Sequence, residues 1–95
     1  MTDIFPMAFS RKPSKRIALD QVGDYTISTL DTSDCGPETA IWKGEDGEII
    51  IVERYNTIPA AIEGHKAWVE YCNDFEPTQL YSIQYEDFIS LYGTF

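Results

Sequence analysis

The stretch "ETAIWKGEDGEIIIVERYNTIPAAIEGHKAWVEYCN", Glu38 to Asn73, reads as a β-hairpin followed by a helix, and that reading decides the fold. Glu38–Lys43 and Glu48–Tyr55 are rich in the β-branched and aromatic residues that suit a pleated, half-buried surface. Between them, Gly44 and Gly47 tolerate the positive φ that a tight reversal needs, so "GEDG" is expected to turn the chain back on itself. A three-residue loop at Glu45–Gly47, with Gly47 left-handed, sets Trp42 opposite Ile50, Ala40 opposite Val52 and Glu38 opposite Arg54. A four-residue loop would oppose Glu38 to Glu53, a like-charge pair, so the first register is preferred. It places Ala40, Trp42, Ile50 and Val52 on one face and Ile41, Ile49 and Ile51 on the other. The second apolar face then needs cover, from the C-terminal segment or from another subunit.

The helix follows from spacing. Thr57 is a good N-cap, and Pro59 stands in the first turn, where its missing N–H costs little. Ile58, Ala61, Ile62, His65, Trp68, Val69 and Cys72 recur at helical intervals on one face. Pro59, Glu63, Lys66, Glu70 and Asn73 form the opposite, polar face, where Lys66 reaches both Glu63 and Glu70. Gly64 sits in the middle, a choice that costs about 1 kcal/mol against alanine. With Ala60, Ala61 and Ala67 it makes a low strip, which points to a close approach of helix to sheet.

Upstream, "RIALD" reads as a short strand, "QVGD" as a turn and Tyr25–Leu30 as a strand. "DTSDCGP" then breaks the chain before the hairpin. Downstream, "DFEPTQL" is a loop. Leu80–Gln84 reads as an extended strand, and Tyr85, Phe88, Ile89 and Tyr92 fit a short helix. The expectation is one α+β domain over residues 17–95: an antiparallel sheet of three to four strands, one main helix packed on it, and a short C-terminal helix or strand. Residues 1–16 read as a basic, flexible arm with no periodicity.

Ninety-five residues with 43% hydrophobic and 14% aromatic content suffice for one core and no more. Six Tyr, five Phe and two Trp exceed what so small a core hides easily, so some aromatics are expected on a contact surface. Charge is uneven. Residues 1–16 carry four basic residues against one acid, and residues 17–95 carry three against fifteen, giving +3 and −12 within a total of −9. An acidic body repels nucleic-acid phosphates and attracts basic surfaces. No apolar run approaches the roughly 20 residues of a membrane span, and the N-terminus has the reverse order of a secretory signal. Two cysteines are too few for a disulfide scaffold. The expected location is therefore cytoplasmic.

Catalytic and metal chemistry find weak footing. A calcium loop starting at Asp31 would need an oxygen ligand at Cys35 and a glutamate at Trp42, and fails at both. Asp34 with Glu38 offers only a weak site for a hard cation. Cys35, His65 and Cys72 lack the close ligand pairs that mark zinc sites. Cys35 as a nucleophile is disfavoured by Asp31, Asp34 and Glu38 around it. No glycine-rich phosphate loop is present. The stretch 31–38 is expected to be a polar turn, with Asp31 and Asp34 capping their own loop through side-chain-to-backbone bonds. No cofactor and no metal are expected.

The block "ETAIW…GE…VERYNT…AIEGHKAWVE" resembles a family of small proteins of bacteriophages and prophages. The resemblance rests on Glu38, Thr39, Glu53, Arg54, Tyr55, Thr57, Ala61, Gly64, His65 and Trp68, about a third of the chain. This chain departs from the family pattern at Ile58-Pro59-Ala60, where members often carry acidic residues. The resemblance implies a phage context, which makes the expected cytoplasm that of a host bacterium. Within the helix, His65 is expected to bond Glu38, Glu53 or Tyr55, with Gly64, His65 and Trp68 structural.

The expected function is a small acidic binding protein, not an enzyme, that docks on a protein partner with a basic surface, in the manner of an inhibitor of a nucleic-acid-binding host protein. Asp31, Asp34, Glu38, Glu53 and Tyr55 are its candidate contact residues. Direct binding to nucleic acid or membrane is not expected. The alternatives are a virion or assembly component that self-associates, and a small metal protein or enzyme using His65, Cys35 or Asp34.

Overall fold

The computed structural model describes residues 15–91 and is α+β. Four antiparallel strands, β1 (Lys15–Val22), β2 (Tyr25–Thr32), β3 (Gly36–Lys43) and β4 (Ile50–Arg54), form one sheet in chain order. Helix α1 (Ile58–Phe75) crosses one face of it, and β5 (Gln79–Ser82) and β6 (Asp87–Ser90) form a separate hairpin. Most of the expected arm lies outside the described residues, but Lys15 and Arg16 belong to β1 rather than to an arm.

Glu38 and Arg54 pair as expected, with Nε–Oε1 at 3.1 Å. The rest of that register is corrected by a β-bulge. Thr39 opposes Glu53 while Ala40 opposes Ile51 and Ile41 opposes Ile50, so Val52 is the extra residue. The bulge brings Ile50, Val52 and Glu53 to the helix side. The core face of β3 is therefore Thr39 and Ile41, not Ala40 and Trp42. The connection is also longer than three residues: β4 begins at Ile50, and Gly44 takes the positive φ of 70° expected of Gly47. Gly47 serves a different need, since a Cβ there would collide with the Lys43 backbone.

Thr57 caps α1, its hydroxyl accepting from the Ala60 N–H at 3.1 Å. Glu76, left-handed at φ 45°, closes the other end by donating its N–H to the Cys72 carbonyl. Ala61, His65 and Cys72 are buried beneath the helix and Trp68 and Val69 half-buried, while Ile58 and Ile62 stand exposed. Of the two forms expected for the C-terminal segment, helix or strand, it takes the strand, as a hairpin: β-pairing sets Leu80 opposite Ile89 and Tyr81 opposite Phe88. Tyr92 lies outside the described residues. The hairpin docks through the Ile83 N–H on the Ile51 carbonyl of β4, and Leu80 and Leu91 join the core of Tyr25, Ile27, Ile41, Ile50, Val52 and Cys72.

Candidate functional site

Strand registry places one residue of each sheet strand in a common cross-strand row. Ala18, Thr29, Thr39 and Glu53 make one row on the helix side; Asp20, Ile27, Ile41 and Ile50 make the next. His65 reaches down from α1 onto the first row. Its Nδ1 lies 2.7 Å from Thr29 Oγ1, and its Nε2 lies 2.8 Å from Asp20 Oδ2. Thr29 Oγ1 is 2.6 Å from Thr39 Oγ1, which is 2.9 Å from the Tyr55 hydroxyl. Tyr55 donates to Glu53 Oε1 at 3.1 Å, and the indole N–H of Trp68 donates to the same oxygen at 2.9 Å. A continuous hydrogen-bonded chain thus runs from Asp20 on β1 to Glu53 on β4. Thr29 and Thr39 are fully buried, and His65 is 3% exposed.

Proton counting constrains this chain. Its five contacts from Asp20 to Glu53 need five hydrogens, and the hydroxyls of Thr29, Thr39 and Tyr55 supply three. The other two must come from Asp20, His65 and Glu53. Burial pushes the Tyr55 hydroxyl up to about 12, with the negative charge of Glu53 adding to the effect and the Thr39 bond opposing it. Burial alone pushes Cys72 up to about 11.

Gly64 makes room for this chain. A Cβ there would lie 2.6 Å from Tyr55 Cζ and closer still to the hydroxyl end of the ring. The close approach expected of Gly64 is to the Tyr55 side chain beneath the helix. His65 bonds Thr29 and Asp20 rather than Glu38, Glu53 or Tyr55, and reaches the last two only through the threonines. Although Asp20, His65 and Thr29 stand in the order carboxylate, imidazole, hydroxyl, Thr29 is sealed from solvent and presents no nucleophile to a substrate.

The other candidate residues separate. Glu38 faces away from the helix, tied to Arg54. Asp31 lies opposite Pro37, and Asp34 sits in the exposed turn after β2. In that turn the Thr32 hydroxyl accepts from the Cys35 N–H at 3.1 Å and donates to the Gly36 carbonyl at 2.8 Å. Cys35 is exposed and Cys72 buried, both as free thiols. Among the described residues, no group of three or more His, Cys, Asp or Glu is placed to hold a metal ion, and no helix is long and apolar enough to cross a membrane.

Sequence reading missed Asp20, Thr29 and Tyr71, and named Thr39 only as part of the resemblance. Thr29 is two residues from Ile27, and Thr39 two from Ile41, so both interrupt an apolar face at period two. That interruption was the available signal. Tyr71 belongs to an aromatic ladder on the flank of α1: its ring lies 5.5 Å from Trp68 at 81° and 5.1 Å from Phe75, which is 69% exposed. Helical geometry places Ala67 and Asp74 next to Tyr71, with Glu63 and Glu70 further round on the polar face. The chain matches no family model, no curated protein and no solved structure.

Proposed function

We propose that this is a phage-encoded, non-enzymatic binding protein of the host cytoplasm. It docks on a protein partner with a basic surface, as an inhibitor of a nucleic-acid-binding host protein would. The observation that carries the reading is the exposed flank of α1, where the Trp68–Tyr71–Phe75 ladder is bordered by the carboxylates of Asp74 and Glu53, with Glu63 and Glu70 further round the helix. Aromatic faces and carboxylates both attract lysine and arginine, and the chain carries a net charge of −9. Preordered rings also lose little side-chain entropy on binding.

The test is capture from bacterial lysate at low and high salt. The expected result is a basic nucleic-acid-binding protein that is retained at low salt and released at high salt. Double reversal Glu70→Lys/Asp74→Lys should abolish its capture, whereas Asp31→Lys/Asp34→Lys, at the β2–β3 turn, should weaken it less. Capture indifferent to salt and to both reversals would overturn the reading.

A second observation favours an assembly role. The sheet face away from α1 carries a row of Leu19, Ser28, Ala40 and Ile51, and Leu19 is 50% exposed. A chain that captures nothing but itself, and whose self-association is lost on Leu19→Glu, would make that face the functional one.

A further inference from the structure

The corner between Trp68 and Tyr71 has the form of a receptor for a positive charge. The two rings stand nearly perpendicular, at 81° with centroids 5.5 Å apart, so they form two walls of a corner. Glu53 supplies a third wall, its Oε1 2.9 Å from the Trp68 indole nitrogen. Ala67, the remaining lining residue, is small enough to leave the corner open, and the cavity measures about 400 Å³. Among the described residues, Glu53 is its one charged lining residue. An anion would meet the carboxylate and the negative ring faces together. A neutral apolar group would bury that carboxylate without a countercharge, which is costly. A cation gains from both at once.

Glu53 is also held in place. The Tyr55 hydroxyl and the Trp68 indole both donate to Oε1, and Tyr55 is in turn fixed by Thr39, Thr29, His65 and Asp20. The hydrogen-bonded chain under the helix thus orients the Glu53 carboxylate in the corner.

We propose that Glu53, Trp68 and Tyr71 receive a single cationic side chain, lysine or arginine, from a protein partner. This rests on the reading of the α1 flank as a surface for basic partners and names its anchor point. The interaction is by charge and ring face, with no bond made or broken.

The test uses the full chain and four blocked pentapeptides, with arginine, lysine, citrulline or acetyl-lysine flanked by glycines. Binding is followed through the Trp68 indole N–H resonance, assigned by its loss in Trp68→Phe. The arginine or the lysine peptide, or both, should shift that resonance saturably while leaving the Trp42 indole unmoved, and the neutral isosteres should not. Glu53→Gln keeps an acceptor for Tyr55 and Trp68 and should weaken binding by about tenfold. Tyr71→Leu, at an exposed position, should weaken it as well. Equal shifts from the neutral peptides, or unchanged binding in Glu53→Gln, would overturn the proposal. If salt-sensitive capture of a basic protein persists while no peptide reaches Trp68, the anchor is wrong and the docking reading stands. If the cationic peptides bind but no basic protein is captured, the docking reading falls alone.

Discussion

Two neighbouring rows of the sheet lie under the same helix and are held by different forces. In one, Ile27, Ile41 and Ile50 meet Val52, Cys72, Leu80 and Leu91 with almost no surface left to water. In the other, Thr29 and Thr39 are equally buried but lead through Tyr55 to Glu53, and His65 closes onto them from above. Apolar burial is non-directional, and supplies stability without caring greatly which way the helix points. A hydrogen-bonded chain adds little net stability but is costly to break once buried, so it penalises any helix rotation or strand slip. The first row therefore keeps the domain folded, and the second fixes how α1 sits and where Glu53 and Trp68 face.

The apolar row should show the largest loss. Ile27→Ala removes a fully buried side chain from the centre of the cluster and should cost about 2–5 kcal/mol. Urea unfolding reads this as a lower midpoint at unchanged slope. Thr29→Val keeps the shape but strips the hydroxyl that joins His65 to Thr39, and should cost about 1–3 kcal/mol. Its distinctive sign is disturbance of the Trp68 indole resonance at the far end of the chain. If Thr29→Val cost as much as Ile27→Ala, the division of labour between the rows would be wrong.

A smaller effect sharpens the same comparison at Gly64. On helix propensity alone, Gly64→Ala should stabilise α1 by about 1 kcal/mol. The Tyr55 ring occupies the space a Cβ would need, so the substitution should instead destabilise by about 1–3 kcal/mol. Removing the obstacle decides the cause. In a Tyr55→Ala background, Gly64→Ala should become stabilising, by about the propensity difference. The same sign in both backgrounds would mean that Gly64 is needed for some reason other than Tyr55.

The apolar half of this molecule was far easier to read in the chain than the polar half. Thr57, Pro59 and the spacing of Ala61, His65 and Cys72 announced α1, and the strands followed from their β-branched runs. The Glu38–Arg54 pair was legible because like charges exclude the alternative register. The bulge at Val52 was not legible, since Ile49, Ile50, Ile51 and Val52 are interchangeable to a period-two pattern. The C-terminal segment was legible only as helix or strand, because Phe88 and Ile89 suit either until Tyr81 and Leu80 stand opposite them. Of the candidate site, Thr39, Glu53, Tyr55, Gly64, His65 and Trp68 were all named, but His65 was expected to bond Glu38, Glu53 or Tyr55 directly rather than Thr29 and Asp20. Hydrogen bonds between residues far apart in sequence, such as Asp20 with His65 and Thr29 with Thr39, leave no spacing to detect.

The smallest effect at neutral pH becomes visible in alkali, where each row contains one group that resists ionisation. Cys72, in the apolar row's cluster, is raised from 9.0 to about 11 by burial, and Tyr55, in the polar chain, from 10.0 to about 12, chiefly by burial. In both, the fold prefers the neutral form, so the folded state holds more protons than the unfolded state between the two values. Stability from each group is fully present below its unfolded value and is lost as pH rises through the folded one. Urea midpoints should therefore fall between about pH 9 and 11 on account of Cys72, and between about pH 10 and 12 on account of Tyr55. Cys72→Ala should remove the earlier part of the decline and Tyr55→Phe the later part. Tyr55→Phe cannot place a phenolate beside Glu53, so it should also preserve the Trp68 indole resonance to higher pH than the parent protein. A parent decline left unchanged by Tyr55→Phe would show that the polar chain does not sense alkali through Tyr55. The stiffness assigned to that chain would then have to reside in Thr29, Thr39 and His65 alone.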